Sequence, residues 1–173
     1  MIEELLTTAE LEWKTLDLKR GDYLIRAGEK EKYLGIVVSG ALRAFTLKEE
    51  EEFTIRLAYK DSIIASLPAF FTEDASDLSI QAIRKTTIKR TSKIAFEEYC
   101  NKNIERLQVY NQLLKELTAS FYEREIDLLT SSPVERISRI QHRSPKIFQE
   151  IPHRYIASYL RMSPETLSRL LKS

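Results

Sequence analysis

Apolar and polar residues recur with different periods in the two halves of the chain. Between positions 19 and 90, short runs rich in β-branched and aromatic residues alternate partly with polar residues, which predicts strands. The predicted strands are Tyr23–Arg26, Leu34–Ser39, Ala41–Leu47, Phe53–Tyr59, Leu78–Arg84 and Thr86–Arg90. All 4 glycines lie at or near the boundaries of these strands. Many short and closely spaced strands favour a sandwich or a barrel.

From about Ile94 the apolar period becomes helical. Positions 103–129 contain neither proline nor glycine, which predicts one helix of roughly 25–30 residues, well above the usual three turns. Its predicted apolar stripe consists of Leu107, Tyr110, Leu114, Leu117, Phe121 and Leu128. A lone helix of this length cannot bury such a stripe on a small domain, so we expect self-association along it. Packing of the helix within one chain is the alternative.

Two serine–proline pairs predict where later helices begin. Ser132 precedes Pro133 and is followed by Glu135 three positions later, which is the pattern of a capping box. Ser163 and Pro164 repeat the signal, because a serine hydroxyl caps free N–H groups and proline suits the first helical position. The long helix is therefore expected to be followed by further helices and not by a flexible linker.

Positions 152–172 have the pattern of two short helices around a tight turn. The apolar faces of the two helices are formed by Ile156, Ala157 and Leu160, and by Leu167, Leu170 and Leu171. This arrangement is typical of a helix-turn-helix motif, in which the second helix enters the DNA major groove. Arg161 stands at a turn position that favours glycine, so we expect a left-handed residue there at a cost of roughly 1 kcal/mol. An ordinary amphipathic hairpin is the alternative.

Polar and cationic residues on the outer face of the second helix are the candidate DNA contacts. Arg169 and Glu165 are candidates for base edges, because arginine pairs with guanine and a carboxylate accepts from cytosine. Glu165 is equally well explained as an acid favoured by the helix dipole. The remaining candidates, which would contact phosphates or lie on the same face, are Arg154, Ser163, Thr166, Ser168 and Lys172.

The net charge of +1 conceals an asymmetry between the two parts of the chain. Positions 131–173 carry eight Lys or Arg against three Asp or Glu, whereas the first 130 positions carry 19 against 23. A cationic segment attached to an acidic body is typical of a small phosphate-binding module. Solvated helices can show the same excess, but here it coincides with the two-helix pattern.

Composition argues against several other classes of protein. No apolar run approaches the roughly 20 residues of a membrane span, and the N-terminus lacks the layout of a signal peptide. We therefore predict a cytoplasmic protein without a membrane partner. A single cysteine, Cys100, rules out an internal disulfide and a cysteine-held cluster. Both histidines lie in the helical part, so no strand carries a metal ligand of that kind. We predict no enzyme activity, no catalytic residues, no metal site and no cofactor.

The order of strands, long helix and terminal helices resembles the Crp/Fnr family of bacterial transcription factors over nearly the whole chain. LKRGDYLIRAGEKEKYLGIVVSGALR at 18–43 resembles the opening of that family's cyclic-nucleotide-binding-type β-roll. IASYLRMSPETLSRLL at 156–171 resembles its DNA-reading helices. The resemblance implies an α+β fold with an N-terminal antiparallel β-roll (a double-stranded β-helix), a long dimerisation helix and a C-terminal helix-turn-helix. The corresponding domains are 1–97, 98–130 and 131–173, without a following wing strand.

The family's nucleotide-binding cassette is altered in this chain. In cyclic-nucleotide binders a Gly-Glu-Leu segment opens the cassette, and an Arg-Ser or Arg-Thr pair grips the phosphate. The corresponding effector-pocket residues are Ala65, Ser66, Leu67, Ser76 and Asp77. An acidic Asp77 without a nearby arginine would repel a phosphate. Binding of cAMP in the usual way is therefore not expected, and the roll would take another effector or none.

The resemblance implies a sequence-specific regulator that binds double-stranded DNA as a homodimer. RNA polymerase and a small-molecule effector are further partners that the family allows. The alternative is a ligand-binding or partner-binding sensor whose C-terminal helices do not read DNA.

Overall fold

The computed structural model describes residues 10–172. The N-terminal part of this range forms two four-stranded antiparallel sheets. The strands are β1 (Lys14–Leu18), β2 (Tyr23–Ile25), β3 (Tyr33–Ser39), β4 (Ala41–Lys48), β5 (Glu51–Tyr59), β6 (Ile63–Ile64), β7 (Ser79–Ala82) and β8 (Thr86–Ser92). One sheet has the order β1-β8-β3-β6 and the other β2-β7-β4-β5. Sequence neighbours are thus distributed over both sheets, as in the predicted β-roll.

Each predicted strand is present, with ends displaced by no more than two residues. The strands β1 and β6 were not predicted. β1 has the sequence KTLDL, in which Leu18 is buried, Leu16 is half-buried against the same core, and the other three side chains are exposed. It is held by pairing with β8 from Lys14 opposite Arg90 to Leu18 opposite Thr86. Such pairing is a tertiary contact that local periodicity does not report.

Gly40 allows the β3–β4 turn to pack against the β7–β8 turn. Its φ is +86°, and a Cβ built there would lie 2.3 Å from the carbonyl oxygen of Lys85. No side chain fits at that distance. Next to it, the Thr86 hydroxyl accepts from the backbone N–H of Ala41 at 3.1 Å, which closes the same crossing. The crossing brings the two sheets together at this end of the roll.

One helix lies within the roll and six follow it, and the described residues form three apolar clusters. The helices are α1 (Leu67–Thr72), α2 (Lys93–Cys100), α3 (Ile104–Leu129), α4 (Pro133–Arg143), α5 (Ile147–Glu150), α6 (His153–Tyr159) and α7 (Pro164–Leu170). The first cluster lies between the two sheets, the second packs α1, α2 and α3 on the roll, and the third packs the C-terminal helices on it. In the third cluster Ala41 and Ile83 of the roll meet Ile137, Ile140 and Ile156. None of the described helices is long and apolar enough to cross a bilayer.

The length of α3, 26 residues, confirms the prediction. Its predicted apolar stripe is divided between a face that packs on the chain's own core and a face that is exposed. Asn103 caps the helix by accepting from the N–H of Arg106 at 2.9 Å. Leu117 is buried and Tyr110 packs against the same core, so both are used within the chain. The predicted stripe residues that are exposed or half-buried are Leu107, Leu114, Phe121 and Leu128, which we call the exposed seam. They recur every seven residues, as the interface positions of a coiled coil do.

An ion cluster joins α3 to α4. The Asp127 carboxylate on α3 is fully buried, and it accepts from Arg139 at 2.9 Å and from Arg143 at 2.5 Å. Glu123, one turn earlier, accepts from Arg139 at 2.7 Å. Ser132 caps α4 by accepting from the N–H of Glu135 at 3.3 Å, as the sequence predicts. The chain between the helices is short, so these contacts determine the direction in which α4 leaves α3.

Replacing Asp127 by Asn should lower the free energy of unfolding by roughly 3 kcal/mol, because two arginines lose the charge that neutralises them in a buried site. Glu123→Gln is the matched control. Its side chain is 45% exposed, so we expect a loss of less than about 1 kcal/mol. Urea unfolding of both variants measures the difference, and equal losses would contradict a dominant role for Asp127.

Candidate functional site

The last two helices, α6 and α7, cross at a small buried residue. Ala157 has no exposed surface, and its carbonyl oxygen accepts from the N–H of Met162 at 3.0 Å across the turn. Arg161 adopts the left-handed conformation, with φ at 55°, as expected for this turn position. Arg136 on α4 donates to the carbonyl oxygen of Leu160 at 2.6 Å. The end of α6, where carbonyl groups lack helical partners, is thus held from a neighbouring helix.

The start of α7 is organised by local hydrogen bonds. The Ser163 hydroxyl accepts from the N–H of Thr166 at 3.1 Å, which is the predicted N-cap. Hydrogen bonds with its own backbone N–H and with the Ser163 hydroxyl lower the pKa of the Glu165 carboxyl. Glu165 is therefore engaged at the start of the helix. This contact favours the helix-dipole explanation of Glu165 over a role at a base edge.

The outer face of α7 presents most of the predicted DNA contacts together. Leu167 is fully buried and anchors the helix, while Arg169 and Lys172 are exposed. A shallow groove on this face is lined by Pro164, Glu165, Ser168, Arg169 and Lys172. Ser168 and Thr166 are half-buried at the edge of the face. A cationic edge flanked by hydroxyl groups can bind phosphate and can present an arginine to a base.

Arg154 lies in a different groove from Arg169. Its guanidinium stands 4.5 Å from the centre of the Tyr155 ring and donates to the Tyr155 hydroxyl at 2.5 Å. The groove that it lines with Ser163 and Arg161 also contains Glu51 and Glu52 of the roll. The structure thus brings Arg154 next to acidic residues, whereas Arg169 and Lys172 line a neighbouring groove that shares Pro164 with this one.

Contacts with β5 hold α6 against the roll. The Ser158 hydroxyl accepts from the N–H of Thr54 at 3.3 Å, and the Arg161 guanidinium lies 4.5 Å from the centre of the Phe53 ring. Arg43 on β4 pairs with Glu52 at 2.6 Å. The acidic run Glu49–Glu52 was interpreted as a solvated turn, and its position beside the helix-turn-helix was not predicted. No local signal could have indicated this contact between distant segments.

The predicted effector pocket is closed by its own hydrogen bonds. Ser66 and Ser76 are buried and their hydroxyl oxygens lie 2.7 Å apart, while Ser76 also bonds to Leu78. Ala65 and Leu67 are buried in the second apolar cluster. Asp77 is exposed, and its predicted repulsion of a bound phosphate stays a prediction.

The acidic group that does face the cassette is Glu31, which the sequence analysis did not identify. Its carboxylate accepts from the N–H groups of Ser66 at 3.0 Å, Lys32 at 3.1 Å and Tyr33 at 3.2 Å. Burial raises the pKa of the Glu31 carboxyl, and these hydrogen bonds oppose the rise. Glu31 thus anchors the loop that opens the cassette. A cyclic phosphate would meet this carboxylate in place of an arginine.

No group of three or more metal-ligating side chains occurs among residues 10–172. Cys100 is buried, and burial raises the pKa of its thiol to about 11. The thiol therefore stays protonated near neutral pH and is a weak nucleophile. His153 packs edge-on against Phe148, with ring centres 5.9 Å apart. These groups have structural contacts and do not converge on one site.

Comparison with known families gives one match. A model described as the cyclic nucleotide-binding domain matches residues 15–103, which span β1 to the end of α2. No curated protein sequence matches the chain. Among solved structures, FixK2 from Bradyrhizobium japonicum has a TM-score of 0.82 at 15% identity, covering 94% of this chain and 84% of that chain.

Two further structures share the arrangement of roll and helices. A mutant of CooA from Carboxydothermus hydrogenoformans has a TM-score of 0.74 at 18% identity, covering 99% of this chain and 82% of that chain. The c-di-GMP responsive global regulator CLP from Xanthomonas campestris has a TM-score of 0.65 at 18% identity, covering 99% of this chain and 88% of that chain. The predicted resemblance to Crp/Fnr regulators and the predicted fold class are confirmed.

The left-handed turn residue can be tested by comparing Arg161→Gly with Arg161→Ala. Both substitutions remove the contact with Phe53, but only glycine adopts a positive φ without strain. We expect the glycine variant to have a free energy of unfolding about 1 kcal/mol higher than the alanine variant. Urea unfolding measures this difference. Equal stabilities would contradict strain at Arg161.

Proposed function

Because the chain belongs to the cyclic nucleotide-binding domain family, we propose that it is a sequence-specific DNA-binding transcription regulator of the Crp/Fnr type that acts as a homodimer. One observation carries this proposal. The helix α7 is capped by Ser163 and anchored by buried Leu167, and it exposes Arg169 and Lys172 on its outer face. This is the geometry with which a recognition helix enters a major groove.

The exposed residues of α7 have different roles in this proposal. Arg169 reads a base, because its guanidinium is exposed and forms no ion pair with any of residues 10–172. It can therefore donate bidentately to guanine O6 and N7. Lys172, Ser163 and Thr166 contact phosphates and set the register. Glu165 stabilises the start of the helix. Arg154 contacts a phosphate beside the acidic residues of the roll.

The roll in this proposal does not bind cAMP in the family's usual way. The position of the phosphate-gripping arginine is occupied by Ser76, which is buried and bonded to Ser66. Glu31 adds a negative charge next to the cassette. A buried phosphate would therefore lack the family's arginine and would face a carboxylate. The function implies a cytoplasmic, non-enzymatic protein, with RNA polymerase as a further partner.

The exposed seam on α3 is the proposed dimer interface. Phe121 is 48% exposed and Leu128 is 39% exposed, which is unusual for large apolar residues spaced by seven positions on a long helix. Pairing of two such seams would bury them and would give the two α7 helices a common symmetry axis. A symmetric pair predicts a pseudo-palindromic binding site with half-sites about one helical turn apart.

DNA recognition is tested by gel shift against a library of genomic fragments. In the Arg169→Ala variant, the difference in binding free energy between preferred and other sites should fall by roughly 1–3 kcal/mol, because the bidentate contact with guanine is removed. Arg20→Ala is the matched control, since Arg20 is an exposed arginine of the roll. Measurements at two salt concentrations should show a steep loss of affinity with salt for the wild-type protein. The proposal fails if wild-type protein binds no duplex in a salt-dependent way.

The dimer interface is tested by Phe121→Glu, which places a charge on the exposed seam. We expect the variant to have the mass of a single chain in light scattering, because a buried, unpaired carboxylate opposes association. Ile94→Glu is the control, since Ile94 is 70% exposed on α2 and lies off the seam. A dimeric Phe121→Glu variant would place the interface elsewhere.

A further inference from the structure

A cavity of about 410 Å³ lies where the roll, the long helix and the C-terminal helices meet. We call it the junction cavity. Its lining residues include Arg56, Ser62, Glu116, Ser120, Arg143 and Tyr159. They come from β5 and the turn after it, from α3, and from α4, α5 and α6 with the loop between α4 and α5. The volume is within the range of small-molecule sites in proteins.

Arg56 brings an uncompensated positive charge to this cavity. Among residues 10–172, no carboxylate lies within ion-pair distance of its guanidinium. Its ring contact is with Phe121, whose centre is 5.8 Å away. Burial lowers the pKa of Arg56, which means that the charged form is poorly solvated where it stands. An arginine remains charged nevertheless, so an anion at this place would be stabilised.

Arg124 adds a second guanidinium without an acidic partner. It stacks on Tyr159, with its central carbon 3.9 Å from the ring centre. Its Nη1 atom is buried and has no hydrogen-bond partner among the described residues. An unpartnered buried donor is costly, and burial lowers the pKa of this arginine as well. Two desolvated cations thus lie around the same tyrosine, which itself lines the junction cavity.

The acidic residues of the cavity do not fully offset these charges. Glu123 already accepts from Arg139 at 2.7 Å. Arg143, which also lines the cavity, is held by Asp127 at 2.5 Å. Glu116 is exposed and accepts from Gln112 at 3.1 Å, so it faces the site without a cation of its own. Among the charged residues that line the cavity, Arg56 and Glu116 are therefore left without an ion-pair partner, and Arg124 lies behind the Tyr159 ring.

We propose that the junction cavity binds a small organic anion that bears a carboxylate or a phosphate group. Arg56 is the ion-pairing residue, because its planar guanidinium can donate two parallel hydrogen bonds to either group. The hydroxyl groups of Ser62, Ser120 and Ser144 lie around the same space and supply neutral hydrogen-bond partners. This site is separate from the cassette of Ser66 and Ser76, and its occupation does not depend on DNA binding.

Occupation of the junction cavity would affect the whole molecule. Its walls belong to the roll, to α3 and to the helices that carry α7, so a bound anion contacts all three at once. A ligand that binds one arrangement of these parts better than another shifts the protein towards that arrangement. The anion would therefore stabilise the docked position of the C-terminal helices.

The test is isothermal titration calorimetry of the full chain with inorganic phosphate and, separately, with succinate. Ionic strength is held constant with sodium chloride, so that general screening does not contribute. We expect saturable binding of at least one probe with one site per chain, and the preferred probe identifies the anionic group. Arg56→Gln should weaken the binding by about tenfold or more, because a charge-assisted hydrogen-bonding pair is lost. Glu116→Gln should strengthen it, because a negative charge at the cavity is removed.

Arg20→Gln is the matched control and should bind like the wild-type protein, since Arg20 is an exposed arginine on the roll. Urea unfolding without added anion checks that Arg56→Gln is folded, and Arg56→Lys replaces it if it is not. The proposal is overturned if neither probe binds saturably, or if the substitution at Arg56 leaves the affinity unchanged. It is also overturned if that substitution dissociates the dimer in light scattering, because the partner of Arg56 would then be a carboxylate of the second copy.

Discussion

The buried carboxylate of Asp127 is the contact that connects the two halves of the molecule. It lies near the end of α3 and accepts hydrogen bonds from two arginines of α4. A buried charge is stable only with partners of good geometry, so α4 has little freedom to rotate about the short segment that precedes it. The direction of α4 in turn determines where α6 and α7 lie, because the four C-terminal helices share one apolar cluster.

A second set of contacts joins the same helices to the roll. The N–H of Thr54 and the side chain of Phe53 on β5 contact α6 and the turn after it. The tip of the β4–β5 hairpin carries four consecutive glutamates, of which Glu49 and Glu50 have positive φ angles of 50° and 67°. A negative charge in this position partly neutralises the groove of Arg154 and Arg161. The exposed cations of α7, Arg169 and Lys172, lie outside that groove.

Local signals in the sequence were sufficient for most of the helix-turn-helix. Ser163 and Ser132 cap the helices that they were predicted to cap, because a cap depends on residues three positions apart. Arg161 adopts the left-handed conformation expected from its place in the turn. The cassette was less predictable. Asp77 was the acidic residue assigned to it and is exposed, whereas Glu31, 35 residues before Ser66, supplies a buried carboxylate.

The sequence by itself determined six of the eight strands of the roll, the length of α3 and the starts of α4 and α7, since each depends on periodicity or on contacts within one turn. Only the tertiary structure decided which residues of the apolar stripe of α3 pack on the chain's own roll and which stay exposed. Leu117 is buried there, whereas Phe121 is exposed. The tertiary structure also brought Arg56 to the same cavity as Tyr159, the ring on which Arg124 stacks, although Arg56 and Arg124 are 68 positions apart. Periodicity shows that a residue faces an apolar or polar surface. Which surface that is depends on how distant segments cross, and no local pattern encodes it.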